Sequence, residues 1–154
     1  MKQFTRRNAL TATVLNLIIN IVAPSIIFRT DGFFNFKGES PTLVDLLLPT
    51  VLISVFATTL ATFVTMTKQR MAQKLQPALA PATSWIGTAV LTSVILAVAF
   101  AFAGLFILLT TGLHSLFSNF QLSKWAALGL SGVVGAVVAL TTSFIAVQRS
   151  KRVC

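Results

Sequence analysis

Apolar and polar positions fall in blocks along this chain rather than alternating residue by residue. Four long apolar runs stand out: Ala9–Phe28, Leu43–Met66, Trp85–Thr111 and Trp125–Val147. Each reaches the roughly 20 residues that cross about 30 Å of hydrocarbon at about 1.5 Å per residue. No period-two alternation marks a strand. The pattern therefore predicts an all-α fold, an integral membrane four-helix bundle. Its helices are expected over about 9–28, 43–75, 85–111 and 125–147. Composition agrees, with 55% hydrophobic and 10% charged residues and a mean hydropathy of +0.87. A soluble domain carries about a quarter charged residues.

A finer pattern runs inside the blocks. The first run contains "LNLIINIVAPSIIF", with Asn16, Asn20 and Pro24 at four-residue spacing. Residues four apart share one helix face. Thr50, Ser54, Thr58 and Thr62 form a similar ridge in the second run; Ser131, Gly135, Ala139 and Ser143 form one in the fourth. Shifting the chain by 81 residues lays the second run's ridge on the fourth's, and Ala12, Asn16 and Asn20 on Ser93, Ala97 and Ala101 of the third. Membrane helices associate through close backbone approach and interhelical hydrogen bonds, because lipid tails are as apolar as leucine. The ridges are therefore expected to be packing surfaces facing protein or a water-filled crevice. An amide facing lipid would leave polar groups unsatisfied. Neighbouring helices are expected to satisfy the carbonyl that Pro24 frees.

Charge sets the threading. Lys2, Arg6 and Arg7 precede the first run, Lys68, Arg70 and Lys74 follow the second, and Arg149, Lys151 and Arg152 follow the fourth. The other loops balance Arg29, Lys37 and Lys124 against Asp31, Glu39 and Asp45. Basic excess marks the cytoplasmic side, so both termini are expected there, in a bacterial inner membrane. The net charge of +9 then meets anionic lipid headgroups. Nucleic acid is not an expected partner, since no basic stripe with interleaved aromatics is present. "TRRNAL" superficially resembles a twin-arginine signal, but the run after it is long for a cleavable signal and no A-x-A site follows. It is read as a retained helix.

Pro77 and Pro81 interrupt "TKQRMAQKLQPALAPATS", because proline lacks the donor and clashes with the preceding turn. This divides the chain into a two-helix unit over 1–76, a linker over 77–84 and a second unit over 85–154. The shared topology implies an axis along the membrane normal. In "RTDGFFNFKGESPT", Phe33, Phe34 and Phe36 are expected to dip to the interface. In "GLHSLFSNFQ", Leu113, Leu116, Phe117 and Phe120 fall on one face of a short surface helix.

The second half, with "TTGLHSLF" between its helices, Trp125 opening the second of them and "QRSKR" at its basic end, resembles the small bacterial membrane proteins of domain-of-unknown-function family 2798. That resemblance implies two-helix membrane units and no activity.

Titratable groups are scarce. His114 is the one histidine; the carboxylates are Asp31, Glu39 and Asp45; Cys154 is the single cysteine, so no intrachain disulfide forms. No metal-ligand spacing, phosphate loop or nucleophile elbow occurs. Neither a metal nor another cofactor is expected, and catalysis is not. Asp45 closes "TLVD" in the S/T-x-x-D/E pattern, which predicts a helix cap; its alternative is a proton or cation site at the outer mouth. His114 is read as a solvated interfacial residue, with outer pH sensing as its alternative. Two functions follow. One is a non-catalytic membrane component that associates with itself as a homo-oligomer or as a subunit of a larger complex. The other is a small oligomeric permease with a path lined by Asn16, Asn20 and the threonines. The runs carry no ionisable residue near their centres, which ranks transport second.

Overall fold

In a computed structural model of the chain, the described residues are 2–29, 32–35, 41–72, 85–110 and 121–151. They form α1 (Lys2–Ile27), β1 (Phe33–Asn35), α2 (Leu43–Met71), α3 (Trp85–Thr110), β2 (Gln121–Ser123) and α4 (Lys124–Lys151). All four helices are long and apolar enough to cross a membrane. The chain is an all-α membrane four-helix bundle.

The apolar runs underestimate the helices at their basic ends. α1 begins at Lys2 rather than near residue 9, and α4 runs on to Lys151 rather than stopping near residue 147. A helix need not end where hydrocarbon does, and both extensions are held by side chains on neighbouring helices. α2 ends at Met71, where the Ala72 N–H reaches the Lys68 carbonyl at 3.1 Å. The expected extension to Leu75, the linker 77–84, the surface helix over 113–120, and His114 lie outside the described residues.

α2 and α4 run parallel at the centre. Thr50 meets Ser131 near one end of the pair, and Arg70 meets Ser150 near the other. α1 lies antiparallel to both and packs chiefly on α4, while α3 packs chiefly on α2. The first helix of each half thus rests mainly on the second helix of the other half. Apolar packing fills the remaining levels. Val55, Leu96, Ala97 and Val138 form one buried cluster, and Phe63, Ala89 and Ala146 form another.

The loop end holds a feature the apolar pattern does not predict. β1 and β2 pair antiparallel, with Phe33 opposite Ser123, Phe34 opposite Leu122 and Asn35 opposite Gln121. The Gln121 side-chain amide donates to Asn35 Oδ1 at 3.0 Å. Alternation along β1 exposes Phe33 and buries Phe34 completely among Leu43, Leu46 and Ala127. Phe28 meets Phe34 edge-on, with ring centroids 5.1 Å apart. Phe34 is therefore a core residue and not the interfacial anchor expected of it. Phe33 remains exposed, and Phe36 lies outside the described residues.

Candidate functional site

The site is built on the ridges. Asn16 and Asn20 are 7% and 4% exposed, and each divides its two N–H donors in the same way. One donor goes back along α1, from Asn16 to the Ala12 carbonyl at 2.9 Å and from Asn20 to the Asn16 carbonyl at 2.8 Å. The other crosses to α2, from Asn16 to Thr58 Oγ1 at 3.1 Å and from Asn20 to Ser54 Oγ at 2.9 Å. A backbone carbonyl accepts only, so these bonds also fix which end of each amide is nitrogen. Both asparagines face protein.

Asn8 completes the ladder. Its Nδ2 donates to Thr62 Oγ1 at 3.0 Å and to Ser143 Oγ at 2.8 Å, joining α1 to both central helices. The sequence signal for Asn8 was the four-residue spacing itself, carried from Asn20 and Asn16 through Ala12. It was hidden because the apolar run begins one residue later.

The acceptors come from matched positions of the two halves. Thr62 and Ser143 share Asn8. Ser54 receives Asn20, whose side chain lies over the equivalent Gly135: a Cβ there would sit 2.8 Å from Asn20 Cγ. Thr58 receives Asn16, and its equivalent Ala139 is fully buried. Thr50 and Ser131 bond to each other at 2.8 Å. The single proton of Thr50 goes to the Leu46 carbonyl at 2.8 Å, so Ser131 is the donor in that pair. On α3, Ser93 and Ala97 are buried; Ser93 donates to the Ala89 carbonyl at 2.9 Å. Ala101, next on that ridge, is exposed, and a Cβ on nearby Gly104 would meet nothing.

Among the described residues, three buried side-chain polar atoms lack partners: Thr59 Oγ1, Thr142 Oγ1 and Arg70 Nε. The threonines lie off the four-residue ridges, so sequence spacing did not single them out. Arg70 was counted as a topology charge, yet it is 6% exposed and its Nη2 donates to the Ser150 carbonyl at 2.5 Å. The guanidinium thereby meets the negative end of α4.

At the loop end, Asp45 performs the cap expected of it. Its carboxylate accepts from the Thr42 N–H at 2.9 Å, and the Thr42 hydroxyl accepts from the Asp45 N–H at 3.3 Å. Between α1 and α2 lies a cavity of about 180 Å³, lined by Asn20, Pro24, Asp45, Pro49 and Thr50 among apolar neighbours. Lys124 Nζ donates to the carbonyls of Phe28 and Arg29 at 2.7 and 3.0 Å, fastening α4 to the end of α1. Among the described residues, no three His, Cys, Asp or Glu side chains gather as metal ligands would. Comparison with protein-family models, curated proteins and solved structures gives no match.

Proposed function

We propose that this is a non-catalytic, multi-pass protein of the bacterial inner membrane, with both termini cytoplasmic, acting through helix–helix association with itself or with a larger membrane complex. The observation that carries this reading is the uneven fate of the ridges. The α1, α2 and α4 ridges close on one another through the asparagine ladder. The α3 ridge instead runs out of the bundle at Ala101 and Gly104, where no described neighbour covers it. Small residues on an uncovered membrane helix allow a second helix close approach. The likeness of the second half to family 2798 fits two such units in one chain and adds no activity.

Cysteine scanning tests the association. In a Cys154→Ser background, Ala101→Cys should form a disulfide with a second copy or trap a partner when native membranes are oxidised. Val94→Cys, on another exposed part of α3, should do so much less. A chain that stays monomeric at both positions overturns the association.

A second reading, the small oligomeric permease, is favoured by the two unpartnered hydroxyls of Thr59 and Thr142 inside the bundle. Proteoliposome flux on the Asn16→Leu variant separates the readings. A stable variant with lost flux supports a path, whereas loss of folded protein supports packing.

A further inference from the structure

The last rung of the asparagine ladder between α1 and α2 is the bond from Asn20 to Ser54. Towards the β1–β2 end α1 is held by α4 instead. Ile21 lies over Gly132, and Lys124 takes the carbonyls of Phe28 and Arg29. The flank of α1 turned to α2 is left standing off, and there lies the cavity of about 180 Å³. Its α1 wall runs from Ile19 to Phe28, about 13 Å of rise at about 1.5 Å per residue. That is close to half of the roughly 30 Å of hydrocarbon, the depth of one leaflet.

The lining is almost wholly apolar. Its few polar side chains are occupied: Asn20 donates to the Asn16 carbonyl and to Ser54, Thr50 donates to the Leu46 carbonyl, and Asp45 caps α2. A ligand therefore meets Ala23, Ile27, Pro49 and Ile53. Ala23, Ile27 and Ile53 are also exposed, so the cavity is a crevice that opens sideways between two membrane-crossing helices. A helix about 10 Å across with its side chains is too wide to enter it. At the loop end, directly after Ile27 and Phe28, Arg29 is exposed, and its guanidinium has no partner among the described residues.

We propose that the crevice holds one acyl chain of a phospholipid from the leaflet at the β1–β2 end, with the lipid phosphate on Arg29. Apolar walls one leaflet deep suit an alkyl chain, which needs no polar partner. A guanidinium at the open end suits a phosphate, which it binds through paired N–H donors. Lys124, with its ammonium on the Arg29 carbonyl, keeps a second positive charge beside that phosphate. The site is independent of the association reading, because Ala101 and Gly104 lie on α3 and contribute nothing to it.

Photolabelling tests the site, with the full-length protein in nanodiscs that contain a trace of phosphatidylglycerol carrying a diazirine in one chain. Ala23, Ile27 and Ile53 should be labelled several times more densely than Val133 and Val137, exposed apolar residues of α4. Protein taken into mild detergent should keep one phospholipid per chain by native mass spectrometry. Ala23→Leu and Ile53→Trp, which fill the crevice from opposite walls, should each cut both signals about tenfold. Arg29→Gln should weaken retention of the phospholipid about tenfold and leave labelling by a diazirine fatty alcohol unchanged. Even labelling of the crevice and α4 overturns the site, as does labelling undiminished in both filled variants. An unlabelled crevice in the wild type overturns it too, and gives the space to a side chain of a second copy.

Discussion

Thr50 and Ser131 share a hydrogen bond of 2.8 Å and stand 81 residues apart in the chain. That separation is the offset that superimposes one half of the sequence on the other. The contact lies where α2 and α4 meet, and Thr62 and Ser143, at the same offset three turns further along, are bridged by Asn8.

This bond sets the first expectation. Thr50→Ala and Ser131→Ala should each lower stability by about 1 kcal/mol. The double variant should cost clearly less than the sum, because each single change already breaks the shared bond. Thermal unfolding in detergent across the four proteins reads the coupling, and strict additivity would contradict it.

Thr59 and Thr142 should behave oppositely. Their hydroxyls are buried without a partner, a situation that costs about 1–3 kcal/mol. Valine keeps the shape and removes the hydroxyl, so Thr59→Val and Thr142→Val should leave Tm unchanged or raise it. A fall in Tm for both would show that each hydroxyl has a partner after all.

The glycines of α4 form a graded series. A methyl at Gly135 must displace Asn20 from Ser54, so Gly135→Ala should cost about 1–3 kcal/mol through overpacking and the lost bond. At Gly132 the new Cβ would meet Ile21 Cγ1 at 2.7 Å and Cδ1 at 2.9 Å; a shift of that apolar side chain breaks no hydrogen bond, so the cost should be smaller. Gly129 faces open space, where alanine should add up to about 1 kcal/mol of helix propensity. Any other order in unfolding temperature contradicts the packing of α1 on α4.

Arg70 and Arg149 separate structural from topological charge. Arg70→Ala removes a charge-assisted bond to the end of α4 and should cost about 1.5–3 kcal/mol. Arg149 is exposed, and Arg149→Ala should stay within about 0.5 kcal/mol. Equal effects on Tm would mean that the buried guanidinium contributes no more than the exposed one.

Threading is tested on the described ends of the bundle. In the Cys154→Ser background, a cysteine replacing exposed Ser123 should react with an impermeant thiol reagent outside intact cells. A cysteine replacing exposed Gln3 should react only after lysis. Labelling of position 3 from outside would invert the topology.

The helices and ridges were legible because each is a local, periodic signal. A run of hydrocarbon length announces a span, and a four-residue spacing announces a face. Where the structure departs from the pattern, the deciding contact is distant in sequence. Asn8 stands among charges that look like a solvated terminus until Thr62 and Ser143 arrive beside it. Arg70 looks solvated until the Ser150 carbonyl closes on it. Phe34 looks like an interfacial aromatic, but its strand is three residues long and its partner strand lies on the far side of α2 and α3 in the sequence. Periodicity carries no information about such pairings.

The resting of α1 on α4 has a consequence for how the chain is made. Ser54, Thr58 and Thr62 follow α1 closely during synthesis. Gly132, Gly135 and Ser143 arrive roughly a hundred residues later, about 5–20 s at ordinary ribosome speeds. Until then one flank of Asn8 and Asn20 has no protein against it. The newborn first helix must wait beside the insertion machinery, or in the company of α2 alone, until the last span enters the bilayer. A ribosome stalled before residue 124 would leave that flank bare, making it the natural place for a membrane chaperone or a quality-control protease to recognise an unfinished chain.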